Sequence, residues 1–171
     1  MSLIREFEET GNWLFKRRSY LPLLIIPFLI VLIKINPSAI SLVMLIAGLC
    51  ISFLGELIRI VTIAFTSKGT SGRNTKQQLA DSLNTTGIYS LIRHPLYVGN
   101  FLMYLGPFVF AGQLYGVIIF VLIFCLYYER IMFAEEAFLI NKFGDEYLQW
   151  ARVTPAILPN FKNYTPVKNP L

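Results

Sequence analysis

Charged residues are scarce in this sequence of 171 residues: they make up 15% of it, whereas soluble domains average about 25%. Hydrophobic residues make up 55%, more than the roughly 45–50% of a soluble domain. No charge occurs in the 33 residues from Leu96 to Tyr128. The net charge of +5 is spread beside apolar runs rather than along one polar face, which argues against a nucleic-acid surface. This composition predicts an integral membrane protein.

Cysteine is also rare in the sequence, and a glycine-rich nucleotide-binding loop is missing from it. The two cysteines, Cys50 and Cys125, lie inside apolar runs without CxxC or Cys/His spacing. We therefore expect small buried side chains rather than a disulfide or a metal site. The sequence has no GxGxxG loop, so a nucleotide-like ligand would have to be bound by helices.

Four apolar segments are predicted to cross the membrane as helices, at about 20–36, 39–65, 95–111 and 114–132. Turns at 36–38 and 111–113 separate the members of each pair. No convincing cleavage site follows the first run, so we expect it to be retained. Lysine and arginine are concentrated before the first segment, between the second and third, and after the fourth. This bias predicts an all-α polytopic protein of the cell (inner) membrane, with both ends of the sequence in the cytoplasm.

The chain is short enough for a single domain over 1–171. We expect an interfacial lead-in helix at 1–19, the first two spans at 20–66 and a cytoplasmic loop at 67–94. A helical hairpin at 95–132 and a cytoplasmic lid and tail at 133–171 would follow. Gly48, Ser52 and Gly55 place small side chains on neighbouring turns of the second span, which predicts close packing against another helix.

Polar residues at the ends of the spans are the first candidates for chemistry. Glu56 and Arg59 lie one turn apart in the second span, where an interfacial ion pair and a functional pair are both open interpretations. Pro95 suits the first turn of a helix, so His94 is predicted at the N-cap of the third span. A free helix N-terminus there would favour an anionic group.

Three glutamates follow the fourth apolar segment. Helical spacing predicts Glu129 and Glu136 on one face, seven residues apart. Glu135 and Glu136 are adjacent, and both a solvated helix end and a site that holds hydroxyl or ammonium groups are open interpretations. The four-span topology returns these glutamates to the side of the membrane where His94 lies.

Two segments together carry a family resemblance. GIYSLIRHPLYVG at 87–99 and EEAFLINKFGDEY at 135–147 resemble the motifs G-x-Y-x-x-x-R-H-P-x-Y-x-G and E-E-x-x-L-x-x-x-F-G-x-x-Y. These belong to the isoprenylcysteine carboxyl methyltransferase and phospholipid methyltransferase family. The resemblance covers about residues 55–159, and the double motif is specific. Ala156 departs from it, because the family often has an arginine at that position.

The resemblance implies S-adenosylmethionine as the cofactor, bound without a Rossmann fold between the R-H-P region and the two glutamates. It implies that His94, Tyr97 and Gly99 contact the cofactor and that Glu135 or Glu136 holds its polar part. The full candidate set for cofactor binding is Tyr89, His94, Pro95, Tyr97, Gly99, Asn100, Glu129, Glu135 and Glu136. The candidate catalytic residues are Arg59, Arg93 and Glu136. Arg59 or Arg93 would orient a carboxylate or phosphate, and Glu129 or Glu136 would serve as the base for an amine acceptor.

The implied function is methyl transfer from S-adenosylmethionine to a lipophilic acceptor at the cytoplasmic membrane face, most like an isoprenylcysteine-type carboxyl O-methyltransferase. A phospholipid-type N-methyltransferase and a small-thiol S-methyltransferase remain open. So do a sterol reductase that uses NADPH and a non-catalytic transport or scaffold protein. The expected partners are membrane lipids and a lipophilic or lipidated acceptor, with no nucleic acid and no metal.

Overall fold

The computed structural model describes residues 2–64, 66, 78 and 80–167. The helices of this part are α1 Leu3–Arg17, α2 Leu21–Ile35, α3 Leu42–Ala64, α4 Pro95–Phe110, α5 Leu114–Phe143 and α6 Asp145–Val153. Short 3-10 turns lie at Arg18–Tyr20, Pro37–Ala39, Ile88–Ser90 and Phe161–Asn163. Within the described residues no strand forms, and one isolated bridge pairs Gly87 with Thr165. The all-α prediction is confirmed.

Much of the predicted cytoplasmic loop, residues 67–77 and 79, lies outside the described residues, as do residues 168–171 of the predicted tail. Lys68, Arg73 and Lys76, three of the four basic residues of that loop on which the topology prediction partly depends, are among them.

Two helices are long and apolar enough to cross a bilayer by themselves. They are α3 and α5, with mean hydropathies of 2.0 and 2.1 over their most apolar windows. The segments Leu3–Tyr20 and Leu23–Ile35 meet at a bend of 64° and together make a third candidate. Helix α4 is apolar but has 16 residues, fewer than the ~20 of an untilted span. The helices confirm membrane character, whereas the count of four spans stays a prediction.

Helices α3 and α4 pack closely through small residues. A Cβ atom on Gly48 would lie 2.6 Å from the carbonyl oxygen of Gly106, and one on Gly55 would lie 2.6 Å from that of Gly99. Between these contacts, Ser52 donates a hydrogen bond to a backbone carbonyl of α4 at 3.0 Å. The predicted small-residue face is therefore confirmed, and it brings the two backbones into contact.

Stacked aromatic rings hold α4 against α5. Phe108 of α4 stacks on Phe120 of α5 with ring centroids 4.5 Å apart, and Phe101 of α4 meets Phe124 of α5 edge to face at 5.2 Å. The helices are joined by the predicted turn at 111–113, where Gly112 has a φ of 68°. Such rings contribute about 0.5–1.5 kcal/mol per pair beyond the area they bury, so they fix how far α5 is shifted along α4.

Helix α5 is longer than predicted. It continues 11 residues past the expected end at 132, because no helix-breaking residue occurs before Gly144, whose φ is 54°. Glu135 and Glu136 therefore lie on the same rigid helix as the apolar segment rather than in a separate lid.

The predicted lead-in forms helix α1, which packs against the polar part of α5, the residues from Glu129 to Phe143 that follow its apolar segment. Phe7 of α1 meets Phe133 edge to face, with centroids 5.7 Å apart. The guanidinium of Arg130 lies 3.5 Å above the Phe7 ring, a cation–π arrangement. Helix α1 is thus tied to the rest of the fold as well as being amphipathic.

The expectation that both cysteines are buried is wrong, because Cys50 and Cys125 are free and exposed. Their neighbours Leu49 and Leu126 are also 61% and 64% exposed. In a membrane protein the outward surface faces lipid tails, which are as apolar as a core. An apolar run therefore does not distinguish inward from outward positions.

Replacing Gly48 with leucine is expected to lower the free energy of unfolding in detergent by about 1–3 kcal/mol, since the added side chain has no space between two backbones. The matched control, Leu49→Ile on the exposed face, should change it by less than about 0.5 kcal/mol. Thermal unfolding followed by circular dichroism measures both. Equal melting temperatures for Gly48→Leu and wild type would contradict the close packing.

Candidate active site

The start of α4 and the polar part of α5 meet at one end of the fold. Pro95 is the first residue of α4, and His94 occupies its N-cap with φ −120° and ψ 56°. Proline pushes the preceding residue out of helical geometry, so the imidazole of His94 is directed away from the helix axis. The predicted N-cap position of His94 is confirmed.

Five side chains form a cluster here, which we call the clamp: Arg93, His94, Tyr97, Glu135 and Glu136. Oxygen Oε1 of Glu136 is 2.9 Å from Nε2 of His94 and accepts a hydrogen bond from Nε of Arg93 at 3.0 Å. The hydroxyl of Tyr97 donates to Oε2 of Glu135 at 2.8 Å. That oxygen is 3.7 Å from Nδ1 of His94. The histidine ring thus lies between the two carboxylates.

The clamp is enclosed without being sealed. The side chain of His94 is 5% exposed, whereas those of Glu135 and Glu136 are 32% and 25% exposed. Buried carboxylates need partners, and here a ring nitrogen, a guanidinium and a phenol supply them. The exposed part of each carboxylate is open to a ligand.

Two further tyrosines adjoin the carboxylates. The pKa of the Tyr147 hydroxyl is raised above its usual value, mainly by burial and to a smaller extent by the negative charge of Glu136. Burial, and after it the charge of Glu135, likewise raise the pKa of Tyr89. Both phenols therefore keep their protons at neutral pH. Tyr147 belongs to the second sequence motif, which was the signal that could have added it to the candidate residues.

Aromatic rings form a wall beside the clamp. The rings of His94 and Tyr97 are nearly parallel, at 17°, with centroids 5.6 Å apart. Tyr97 packs on Tyr128 at 5.0 Å, and Nδ2 of Asn100 lies 3.3 Å from the Tyr128 hydroxyl. Asn100 thus reaches this wall through Tyr128, which the sequence did not single out.

An extended segment at 154–165, which we call the strap, covers the approach to α4. The backbone N–H groups of Arg93 and His94 donate to the carbonyls of Pro155 and Ala156 at 2.9 and 3.2 Å. The guanidinium of Arg93 also donates to two backbone carbonyls within 151–154, at 2.8 and 3.1 Å. Arg93 therefore joins Glu136, the end of α6 and the strap.

Some predicted site residues lie apart from the clamp. On α3, Nη1 of Arg59 contacts Glu56 at 3.2 Å and the sulfur of Met103 at 3.1 Å. Gly99 contacts the aliphatic part of Arg59, since a Cβ there would lie 2.5 Å from its Cγ. Glu129 is exposed, and within the described residues no hydrogen bond or ion pair joins it to the clamp.

An all-helical membrane protein with an R-H-P helix start facing a double glutamate is the class that these features define. Within it, the family model described as phospholipid methyltransferase matches residues 43–146, more than half of the chain. The chain belongs to the phospholipid methyltransferase family.

Three relatives illustrate the similarity. The protein-S-isoprenylcysteine O-methyltransferase of Schizosaccharomyces pombe is 36% identical over 77 residues, 45% of this chain and 33% of the relative. The protein of the same name from Rattus norvegicus is 33% identical over 119 residues, 68% of this chain and 41% of the relative. The cobalt-zinc-cadmium resistance protein CzcN of Cupriavidus metallidurans is 39% identical over 84 residues, 49% and 38% of the two chains. The aligned region thus spans between 33% and 41% of these relatives.

Glu136→Ala is expected to lower the free energy of unfolding by about 1–3 kcal/mol, because it leaves the donors of Arg93 and His94 without their shared acceptor. Glu129→Ala is the matched control, an exposed glutamate two turns earlier on the same helix, and should stay within about 0.5 kcal/mol of wild type. Thermal unfolding in detergent measures both. If the two variants melt together, Glu136 does not stabilise the clamp.

Proposed function

We propose that this protein transfers a methyl group from S-adenosylmethionine to a lipophilic acceptor, most like an isoprenylcysteine-type carboxyl O-methyltransferase. The observation that carries the proposal is the contact of His94 and Tyr97 with Glu136 and Glu135, at the two motifs that resemble this family. The relatives named protein-S-isoprenylcysteine O-methyltransferase support the acceptor type.

The residues present fit the cofactor. The partly exposed carboxylates of Glu135 and Glu136 suit hydroxyl and ammonium groups, which donate hydrogen bonds. The flat rings of His94 and Tyr97 suit a purine, and tyrosine faces attract a cation. When bound, S-adenosylmethionine supplies an electrophilic methyl group on a sulfonium. We propose Tyr89, Gly99, Asn100 and Pro95 as the supporting wall and Glu129 as a peripheral member of this site.

The protein's contribution to the reaction would be positioning and exclusion of water. Holding an acceptor oxygen about 3–3.5 Å from the methyl carbon, in line with the leaving sulfur, supplies much of the rate acceleration. The strap and the buried Tyr147, which is 1% exposed, would help to exclude water from the clamp. Arg93, whose hydrogen bonds go to protein groups, would orient Glu136 in this scheme.

The hydrogen bonds of Glu136 favour an acceptor that needs no base. Its Oε1 already interacts with His94 and Arg93, and such bonds stabilise the charged carboxylate. A carboxylate held in this way is a weak proton acceptor. An amine must lose a proton during methylation, whereas a carboxylate need not, so this geometry favours the carboxylate among the open acceptors.

Arg59 is the residue we propose for binding the acceptor's carboxylate. Within the described residues, its Nε is buried and has no hydrogen-bond partner, and its side chain is 29% exposed. A guanidinium with a spare donor binds carboxylates strongly. Its contact with Gly99 places it beside α4, two residues beyond Tyr97 of the clamp.

We also propose that α2, α3, α4 and α5 all cross the inner membrane, with the clamp and both ends of the sequence on the cytoplasmic side. Helices of 15 and 16 residues such as α2 and α4 span about 22–24 Å at 1.5 Å per residue, which local thinning of the bilayer accommodates. The basic residues around α1 and after α5 support this orientation.

Incubating the purified protein with labelled S-adenosylmethionine and a farnesylated cysteine analogue should produce labelled methyl ester, whereas an ethanolamine phospholipid or a hydrophobic thiol should take up much less.

His94→Ala should bind the cofactor at least about tenfold more weakly by calorimetry, since it removes a hydrogen bond of the clamp. Glu146→Gln, at an exposed glutamate outside the proposed site, should bind like wild type. If label entered only the phospholipid or the thiol, that molecule would be the acceptor and the proposal of a carboxylate would be wrong. If His94→Ala bound the cofactor as tightly as wild type, the assignment of the clamp as the cofactor site would be wrong.

Arg59→Ala should reduce kcat/KM for the carboxylate acceptor by about 10–100-fold, the value of a charge-assisted hydrogen bond, and leave cofactor affinity unchanged. Arg59→Lys, which keeps the charge and loses the fork geometry, should recover part of the loss. Steady-state kinetics and calorimetry on the same preparations separate the two effects. Equal loss of cofactor affinity would place Arg59 in the cofactor site instead.

A further inference from the structure

The strap carries large apolar side chains on its surface. Ile157, Leu158, Phe161 and Tyr164 are 49%, 79%, 75% and 60% exposed. Four such side chains within eight residues are unusual for a water-facing surface, and exposed apolar groups of this kind mark interaction sites. Helix α6, directly before the strap, starts instead with exposed acidic residues.

Backbone pairing fixes the depth of the strap. It runs antiparallel to residues 87–94: the carbonyl of Ala156 accepts from His94 at 3.2 Å, the N–H of Asn160 donates to Leu91 at 3.0 Å, and the carbonyl of Thr165 accepts from 87 at 2.7 Å. The next residue after His94 is the first of the apolar helix α4. The strap therefore lies level with the point where α4 enters the membrane.

Charge placement agrees with that depth. Lys162 lies between the exposed aromatic residues of the strap, and Arg152 lies in the last turn of α6. Aromatic and apolar side chains interspersed with basic ones are typical of segments that lie in the headgroup layer, where anionic lipids attract lysine and arginine. Asp145 and Glu146, at the far end of α6, are exposed and suit water.

We propose that the strap docks on the bilayer surface, with Ile157, Leu158, Phe161 and Tyr164 inserted at the boundary between headgroups and acyl chains. The partner is lipid, because the strap pairs with the residues that directly precede the apolar helix α4. Since the strap is hydrogen-bonded to Arg93 and His94, docking also holds the clamp closed. Docking rests on the membrane span proposed for α4, and the second consequence rests also on the proposed cofactor site.

Insertion is tested by a fluorescent label in nanodiscs. Leu158→Cys and, as a matched control, Glu146→Cys are labelled with an environment-sensitive dye after Cys50 and Cys125 are replaced by alanine. Lipids carrying a quencher near the headgroup should quench the label at 158 and leave that at 146 unaffected, and aqueous iodide should do the reverse. Iodide quenching at both positions would overturn the proposal.

Self-association is a separate outcome of the same experiment. If a second copy covers the strap, the label at 158 will be shielded from iodide in discs holding two copies and exposed in discs holding one. Shielding that depends on the second copy would overturn the assignment to lipid, whereas lipid quenching in single-copy discs supports it.

Coupling to the clamp has its own measurement. The double variant Leu158→Asp and Phe161→Asp should bind S-adenosylhomocysteine about tenfold more weakly in nanodiscs, because two inserted side chains are lost. Glu146→Gln should bind like wild type. Unchanged affinity of the double variant would overturn the coupling. If wild type binds no S-adenosylhomocysteine at all, the proposed function fails, and the quenching result still decides insertion.

Discussion

One carboxylate oxygen, Oε1 of Glu136, interacts with two residues that precede α4. It accepts from Nε of Arg93 at 3.0 Å and lies 2.9 Å from Nε2 of His94. A partly buried carboxylate is tolerated only with such partners, and Arg93 in turn satisfies carbonyls of the segment 151–154. The polar part of α5, the start of α4 and the strap therefore depend on one another, and a change in any of them alters the clamp.

Some residues that pack α3 against α4 also belong to the candidate functional set. Gly99 contacts α3 because a side chain there would collide with Arg59 and with the carbonyl of Gly55. The same contact places the guanidinium of Arg59 beside α4, close in sequence to Tyr97. A glycine that the family resemblance assigned to the cofactor thus has a packing role of its own, and the small-residue face serves to place a charged group as well as to join helices.

Features that depend on the pattern of side chains, such as the helices and the N-cap, could be predicted from the sequence. Features that depend on backbone pairing, such as the strap, could not. Apolar runs located the helices, and Pro95 located the N-cap at His94. The absence of glycine and proline before Gly144 was a signal that α5 continues to Phe143, whereas nothing in the pattern indicated that the strap pairs with residues 87–94. That pairing uses the carbonyl of Ala156, which any residue provides. For the same reason the alanine found where the family often has an arginine leaves the backbone contact intact.

The register between α4 and α5 determines whether the clamp exists. His94 and Glu136 are brought together across helices joined only by the turn at 111–113. A shift of one turn along α5 would move the carboxylate by about 5.4 Å, beyond hydrogen-bond distance of the imidazole. The contacts of Phe108 with Phe120 and of Phe101 with Phe124 join the two helices and oppose such a shift, because the rings would lose contact if one helix slid along the other. The aromatic packing in the apolar part of the hairpin is thus what sets the geometry of the polar site at its end.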